Sequence, residues 1–189
     1  QLIFQFYNKN WKLKITDLHQ GIVWGVDTAE TSQNESLRNR FDYDGIYGTV
    51  LNRFVSQAAS GNDLTIYGTG GQTRAFINVN DTANCIKLAA ENNDFSPDRV
   101  RIFNQISEVK RVRDLAEMIA KSLKAKIKYV DNPRKELAEN DLEVSNMGLK
   151  ALGFEPILLR DALINDILYL ARNSKHKIDT GLILNSPKW

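Results

Sequence analysis

The sequence predicts an α/β fold, and two observations carry that prediction. Short apolar segments typical of strands alternate along the chain with longer segments whose apolar residues recur at helical spacing. This alternation continues through 189 residues without an internal repeat or a low-complexity segment. Alternating strands and helices favour a sheet covered by helices, and the length suffices for one domain with a sizeable core.

The predicted elements follow one another in this order. An apolar and aromatic helix covers Leu2–Trp11, and an apolar strand at 13–18 runs on into the glycine-bounded segment 21–25. Residues 27–44 are polar and charged without a period, which predicts a long loop. Beyond it we expect helices at 47–60, 81–92, 109–123, 145–152 and 159–170, and strands at 64–67, 100–103 and 126–130.

The glycine-rich segment 67–81 carries the strongest indication of a ligand site. Three glycines follow a short apolar strand and lead to Arg74, which we expect at the end of a glycine-rich turn. Glycine lets the backbone approach a ligand closely, and the planar arginine fork suits a phosphate. Asp81 is predicted to cap the next helix. The segment does not lie between a first strand and a long helix, so we reject a dinucleotide-binding loop here.

Composition excludes several classes of function. A net charge of +2 gives no electrostatic case for a nucleic acid or an anionic membrane. No apolar run approaches the roughly 20 residues that span a bilayer, and the first residues do not resemble a signal peptide. The single cysteine, Cys85, fits a reducing compartment and is predicted to fill the core. His19 and His176 have no neighbours at metal-ligand spacing, so no metal is predicted.

Four residues at loop positions are candidates for binding a ligand. Arg74 follows the glycines, and Arg134 follows a strand in the tripeptide Asn-Pro-Arg. Gln20 and Tyr67 each end an apolar strand, where open α/β sheets bind their ligands. Each residue also has an ordinary interpretation. The arginines can be solvated surface residues, Gln20 can make loop hydrogen bonds, and Tyr67 can fill the core.

Several motifs together carry a resemblance to a known family. They are Gly-Ile-Val-Trp-Gly at 21–25, Tyr-Gly-Thr-Gly-Gly-Gln-Thr-Arg at 67–74, Ile-Phe-Asn-Gln at 102–105 and Asn-Pro-Arg at 132–134. In this combination the chain resembles the C-terminal part of the extended short-chain dehydrogenases/reductases that act on nucleotide sugars, the NAD-dependent epimerase/dehydratase superfamily. Within it, the loop sequence Leu-Arg-Asn-Arg-Phe-Asp-Tyr-Asp at 37–44 is similar to that of the UDP-sulfoquinovose synthases.

The resemblance implies a reaction and a role for each candidate residue. That family makes UDP-sulfoquinovose from UDP-glucose and sulfite. NAD oxidises the sugar at C4, water leaves, sulfite adds at C6, and the hydride returns to C4. The resemblance implies that Arg74 and Arg134 clamp the diphosphate and that Tyr67 borders the uracil. It also implies that Thr49 offers donors at a helix start, and that Gln20 faces the sugar or the nicotinamide.

The resemblance also indicates what the sequence lacks. The family has a glycine-rich NAD loop and a Tyr-x-x-x-Lys pair, and no tyrosine here has a lysine four residues later. We therefore expect no catalytic residue in this chain, a missing N-terminal half, and no turnover by the chain alone. Residues 1–48 are expected to be the remnant of the NAD-binding Rossmann domain with the active-site loop. Residues 49–189 would be mainly the substrate domain, with segments that return to the Rossmann domain.

The same resemblance implies an assembly and a location, and two competing functions stay open. It implies a homodimer when the protein is complete, and a prokaryotic cytoplasm or a plastid stroma. One alternative is another nucleotide-sugar enzyme of this superfamily, a 4-epimerase or dehydratase, against which the loop at 27–44 argues. The other is a non-catalytic UDP-sugar-binding module, against which the uncapped start of the helix Leu2–Trp11 argues.

Overall fold

The computed structural model describes residues 1–38, 41–92, 94–95, 98–133, 137–173 and 178–184. Strands and helices alternate through them, which confirms the predicted α/β class. The helices are α1 (Leu2–Trp11), α2 (Val50–Ala59), α3 (Val79–Glu91), α4 (Val112–Leu123), α5 (Met147–Lys150), α6 (Leu159–Asn173) and α7 (Thr180–Leu184). The strands are β1 (Thr16–Gln20), β2 (Ile22–Trp24), β3 (Leu64–Tyr67), β4 (Gly71–Asn78), β5 (Arg101–Gln105), β6 (Glu108–Arg111), β7 (Ile127–Val130) and β8 (Glu139–Asn140).

The strands form Rossmann-like sheets in which parallel pairs predominate. β1 pairs in parallel with β5, and β3 pairs in parallel with β7. β4 is the central strand of a third sheet, with β2 parallel on one side and β6 antiparallel on the other. β8 pairs in parallel with the first two residues of β4, Gly71 and Gln72. Parallel pairs need a crossover connection, and the helices between the strands supply it.

The segment predicted as one strand from 13–18 into 21–25 is two strands in two different sheets. Gly21 is the residue at which the chain changes sheet, and its N–H still donates to Gln105 O of β5 at 3.1 Å. A Cβ atom at this position would lie 3.0 Å from the carbonyl oxygen of Ala75 in β4. The close backbone approach therefore requires glycine. Local sequence pattern does not indicate which sheet each half joins.

Arg74 does not end a glycine-rich turn, because it lies in the middle of β4. The turn is confined to residues 68–70, where Gly68 and Gly70 have φ angles of 62° and 68°. Pairing with β8 begins at Gly71, and pairing with β6 holds Arg74 opposite Lys110. These partners are distant in sequence, so local pattern alone could not predict the strand.

The starts of three of the longer helices also differ from the prediction. The side chain of Asn78, not of Asp81, caps α3 by accepting a hydrogen bond from Asn80 N. Asp81 is buried, with 3% of its surface exposed. α4 begins at Val112 because residues 108–111 pair with β4 as β6. α2 begins at Val50 rather than at residue 47, since Thr49 is its N-cap.

Two apolar clusters form the core. The larger joins α2, α4 and α6 to the sheets and includes Trp24, Phe54, Phe76 and Leu115. Its members come from both sides of position 48, so the predicted division into 1–48 and 49–189 stays a prediction. The smaller cluster contains Cys85, which is fully buried, as predicted for a core residue. None of the described helices is long and apolar enough to cross a membrane.

Candidate functional site

A cavity of about 180 Å³ lies beside the end of β3, the start of β4 and the start of α2. It brings together three of the sequence-predicted binding residues, Thr49, Tyr67 and Arg74. The described residues that line it are Ile22, Tyr43, Asp44, Gly45, Gly48, Thr49, Val50, Arg53, Tyr67, Gln72, Arg74, Val112 and Ile183. Two tyrosines, two arginines, a carboxylate and several polar groups therefore border one space.

The N-terminus of α2 forms one wall of the cavity. Thr49 Oγ1 accepts a hydrogen bond from Asn52 N at 3.2 Å and Thr49 O accepts one from Arg53 N at 3.0 Å, so the helix starts here. The start of a helix carries partial positive charge from its aligned peptide dipoles. Thr49 and Arg53 are one helical turn apart and therefore lie on the same face of α2. Both line the cavity.

Arg53 holds the ring of Tyr67 in place. Its guanidinium carbon lies 4.2 Å from the centre of the Tyr67 ring, which is a cation–π contact. Arg53 Nη2 also donates to Thr65 O at 3.2 Å, which fixes the arginine to β3. Tyr67 is thus half-buried at the cavity wall. The sequence left open whether it contacts a ligand or fills the core, and its position is intermediate between the two. Sequence reasoning missed Arg53, although its position four residues after Thr49 was a usable signal.

Arg74 and Gln72 enter the cavity from β4. Successive side chains of a strand point to opposite faces, so residues 72 and 74 share one face. Arg74 Nη1 donates to Thr73 O at 2.9 Å, and the side chain is half-buried. Gln72 is buried, with 3% of its surface exposed, and its Nε2 has no hydrogen-bond partner among the described residues. Sequence reasoning did not single out Gln72.

The other predicted residues lie elsewhere or outside the described part of the chain. Gln20 ends β1, is exposed, and is not among the described residues that line the cavity. Arg134 lies outside the described residues. Asn132, of the same Asn-Pro-Arg motif, approaches the turn before β4, since a Cβ on Gly68 would lie 3.6 Å from Asn132 Cβ. The same point is 3.9 Å from Gln72 Nε2.

The loop predicted at 27–44 contributes Tyr43 and Asp44 to the cavity wall. Asp44 Oδ1 accepts hydrogen bonds from the N–H groups of Ile46 and Tyr47, each at 2.7 Å, and so stabilises the turn that precedes α2. The Tyr43 hydroxyl accepts from Asp179 N at 2.8 Å, which ties the loop to the segment before α7. In the described part, residues 27–38 and 41–44, the loop contains only two short 3₁₀ turns.

A buried carboxyl group, that of Asp81, joins α3 to the segments around residues 107 and 157. Asp81 Oδ2 accepts from Ser107 Oγ at 2.7 Å and from Ile157 N at 2.8 Å. Burial raises the pKa of Asp81, while the hydrogen bond from Ser107 and that from Ile157 oppose the rise. Burial, with the nearby charge of Asp81, also raises the pKa of Cys85 to about 12. That thiol is therefore a weak nucleophile at neutral pH, as expected for a core residue.

The glycine turn has no geometry for a dinucleotide pyrophosphate. Gly68 and Gly70 lead into β4, whereas a Rossmann loop leads into the N-terminus of a helix. The rejection of this turn as a dinucleotide loop is consistent with that connection. Among the described residues, no group of three or more His, Cys, Asp or Glu side chains could hold a metal ion.

The comparisons with known proteins agree with this fold. Residues 31–104 match the model of the NAD dependent epimerase/dehydratase family. A solved UDP-glucose 4-epimerase of Thermotoga maritima with UDP-glucose superposes with a TM-score of 0.69 at 19% identity, over 90% of this chain and 50% of that one. The fold of the chain and its segment 31–104 are therefore similar to those of the NAD-dependent epimerases and dehydratases.

Within that class the chain is similar to UDP-sulfoquinovose synthases, as the sequence predicted. The chloroplastic enzyme of Spinacia oleracea is 43% identical over 97% of this chain and 39% of its own length. The enzyme of Sulfolobus acidocaldarius is 36% identical over 97% of this chain and 48% of its own length. The chain therefore spans less than half the length of these curated relatives.

Proposed function

We propose that this chain supplies the UDP-sugar-binding part of a UDP-sulfoquinovose synthase-like enzyme, which forms UDP-sulfoquinovose from UDP-glucose and sulfite and uses NAD. The observation that carries the proposal is the cavity in which Thr49, Tyr67 and Arg74 meet. These residues come from three elements, and the resemblance implied for each a role in binding the nucleotide. The 43% identity to the spinach enzyme supports the choice of substrate.

The proposed contribution of this chain to catalysis is positioning. Arg74 binds the diphosphate, with Arg134 as the expected second arginine, and Thr49 and the start of α2 add donors. Tyr67, backed by Arg53, borders the uracil. Gln20 is proposed for the sugar or nicotinamide side of the complete enzyme. Fixing the nucleotide at one end lowers the entropic cost of placing the sugar for reaction at the other.

The turn at residues 68–70 does not have the geometry of an NAD-binding loop. NAD belongs to the proposal through the family, and we assign no step of its chemistry to this chain. The loop at 27–44 is proposed to cover the bound sugar and limit the access of water. The complete enzyme is proposed to be a homodimer. A prokaryotic cytoplasm or a plastid stroma is the proposed location.

Calorimetric titration of UDP-glucose into this chain tests the proposal. The titration is made with the chain alone and with the N-terminal half of a close synthase supplied in trans. Arg74→Ala is expected to weaken binding by ~2–3 kcal/mol, about 30- to 150-fold, because a charge-assisted hydrogen bond is lost. Arg160→Ala is the matched control, since Arg160 is exposed on α6 and pairs with Asp161 in solvent. Equal affinity of wild type and Arg74→Ala would contradict the proposed role.

Two other functions make different predictions in the same experiments. A 4-epimerase or dehydratase would bind UDP-glucose yet form no sulfonated product when the two halves are combined with NAD and sulfite. A non-catalytic UDP-sugar-binding module would bind UDP-glucose as the lone chain, and the added half would change nothing. Binding that needs the added half, followed by formation of the sulfonated sugar, supports the synthase.

A further inference from the structure

The carboxyl group of Asp166 lies in a narrow crevice between α6, α2, the segment after β2 and the loop at 27–44. The described residues that line the crevice are Gly25, Val26, Phe41, Leu51, Asn52, Val55, Leu163 and Asp166, so Asp166 is the only ionisable group among them. With a volume of about 10 Å³ the crevice has no room for a ligand. Asp166 therefore does not mark a further binding pocket, and its role has to be sought in what the crevice holds together.

The loop at 27–44 brings further charges next to this crevice. Asp27 acts on Asp166 electrostatically, and Asp27 Oδ2 is paired with Arg38 Nε at 3.2 Å. The guanidinium carbon of Arg38 lies 4.7 Å from the centre of the Tyr169 ring, about one turn beyond Asp166 on α6. The loop is thus attached to α6 beside a carboxyl group, and the residues that α2 contributes to the crevice are uncharged. An ionised Asp166 would therefore meet the negative charge of Asp27.

The protonation state of Asp166 changes within the neutral range. Burial first, and then the charge of Asp27, raise the pKa of Asp166 to about 6. An ionised carboxylate in the crevice draws in water, because a buried charge without a partner is costly. It also repels Asp27 and thereby disturbs the pairing of Asp27 with Arg38. Both effects push the loop away from α6 and α2.

The crevice and the cavity of the proposed nucleotide site share one wall. Segment 41–44 forms part of both, since its first residue, Phe41, lines the crevice and its last two residues line the cavity. Asn52 of α2 also lines the crevice, and its Nδ2 donates to Asp42 O at 2.9 Å. The backbone N–H of Asn52 donates to Thr49 Oγ1 at the cavity. A displacement at the crevice is therefore passed on to the cavity wall.

We propose that Asp166 is a positioning residue for the nucleotide site: the protonated acid keeps segment 41–44 packed against α2 and α6, and its ionisation loosens that segment. This inference rests on the proposed function, since it concerns the affinity of the same site. Asp166 is not among the described residues that line the cavity, and it acts through Phe41 and Asn52. Linkage then requires that the affinity for the nucleotide falls as the pH rises through about 6, and that binding near this pH takes up protons.

Calorimetric titration of UDP-glucose at about pH 5.5, 6.5 and 8 tests the inference, with the chain alone and with the N-terminal half in trans. UDP-glucose is used rather than UDP, because a terminal phosphate itself titrates near pH 6. The wild-type protein is expected to bind about 5- to 20-fold more weakly at pH 8 than at pH 5.5. Asp166→Asn has the shape of the protonated acid, and it is expected to bind at every pH as tightly as the wild type does at pH 5.5. A pH dependence that arises from any other group would persist in this variant.

The uptake of protons separates positioning from a merely structural role. Titrations at about pH 6.5 in two buffers with different heats of ionisation measure the protons taken up when UDP-glucose binds. The wild-type protein is expected to take up a fraction of a proton, and Asp166→Asn to lose that uptake. A merely structural Asp166 would change the melting temperature and leave the uptake as it is. Asp161→Asn is the matched control, because Asp161 is exposed on the same helix, and it is expected to keep the wild-type pH dependence.

The other outcomes overturn the inference in distinguishable ways. Wild-type affinity that does not change with pH, that rises with pH, or whose pH dependence survives in Asp166→Asn refutes the role of Asp166 and leaves the proposed function standing. Weak binding by Asp166→Asn at about pH 5.5, or its failure to fold, refutes the claim that a neutral side chain suffices. Wild-type protein that binds no UDP-glucose at any pH in either arm refutes the proposed function together with the inference.

Discussion

Replacing Asp166 by asparagine is expected to stabilise the protein at neutral pH and to have little effect near pH 4. Asp166 lies on α6 in a narrow crevice against α2 and the segment after β2, lined among others by Leu51 and Val55. Burial first, and then the negative charge of Asp27, raise the pKa of Asp166 from 3.8 to about 6. A carboxyl group in such a place resists ionisation.

The sign and size of the effect follow from that pKa. The pKa of Asp166 is higher in the folded than in the unfolded protein, so the protonated carboxyl favours the folded state. This contribution of Asp166 to stability is fully present below about pH 3.8 and is lost as the pH rises through about 6. The rise corresponds to ~3 kcal/mol in the free energy of unfolding. Since Asp166 is only partly buried, screening reduces the expected gain of Asp166→Asn at pH 7.5 to ~1–2 kcal/mol.

Urea denaturation at about pH 4, 6 and 7.5 measures this gain. Asp161→Asn is the control, because Asp161 is exposed on the same helix and pairs with Arg160 in solvent. Its effect should be small at every pH. The reasoning is refuted if Asp166→Asn changes the free energy of unfolding equally at all three pH values, or if it destabilises the protein at pH 7.5.

Two further predictions concern the turn before β4 and the buried carboxyl group of Asp81. Gly70→Ala is expected to cost ~2–4 kcal/mol of stability, because its φ is 68° and a Cβ would lie 2.7 Å from Ile66 Cγ2. Gly61→Ala has a φ of 77° but open space, so denaturation should show a loss of only ~1 kcal/mol; equal losses would contradict the steric argument. Ser107→Ala removes a donor to Asp81 and should cost ~1–3 kcal/mol. Since that bond opposes the rise in the pKa of Asp81, the loss should be larger at pH 8, where the carboxyl is ionised, than near its ordinary pKa of 3.8. Ser122→Ala, on the exposed side of α4, should change little, and a pH-independent loss in Ser107→Ala would exclude ionised Asp81 as the acceptor.

The sequence was most informative where structure depends on local pattern. The apolar spacing of α2 and α4 and the apolar run of β3 predicted those elements to within a few residues. The α/β class followed from their alternation. β4 and β6 were missed, because each is defined by pairing with strands distant in sequence. The same pairing explains the wrong cap at Asp81, whose oxygen is occupied by Ser107 and Ile157 N.

The residues of the candidate site also differ in how far local sequence pattern could predict them. Thr49 and Tyr67 belong to a continuous helix-and-strand unit, and a sequence pattern could place them near one cavity. Whether Arg74 or its neighbours faced that cavity depended on β4 being a strand, since only then do residues 72 and 74 share a face. The glycine motif indicated a ligand site but suggested a turn.

Strand geometry thus changes how the motif Gly-Gly-Gln-Thr-Arg works. As a turn, it would place one arginine on a flexible loop and leave the glutamine and threonine as spacers. As a strand held by β8 and β6, it divides its side chains by face. Thr73 faces the 140–142 segment and holds it through Asn140 and Leu142, while Gln72 and Arg74 face the cavity. Thr73 on one face fixes the strand, and Gln72 and Arg74 on the other face line the cavity on a backbone that is already held. A fixed backbone beneath the ligand-facing side chains is the arrangement that pre-organised binding requires.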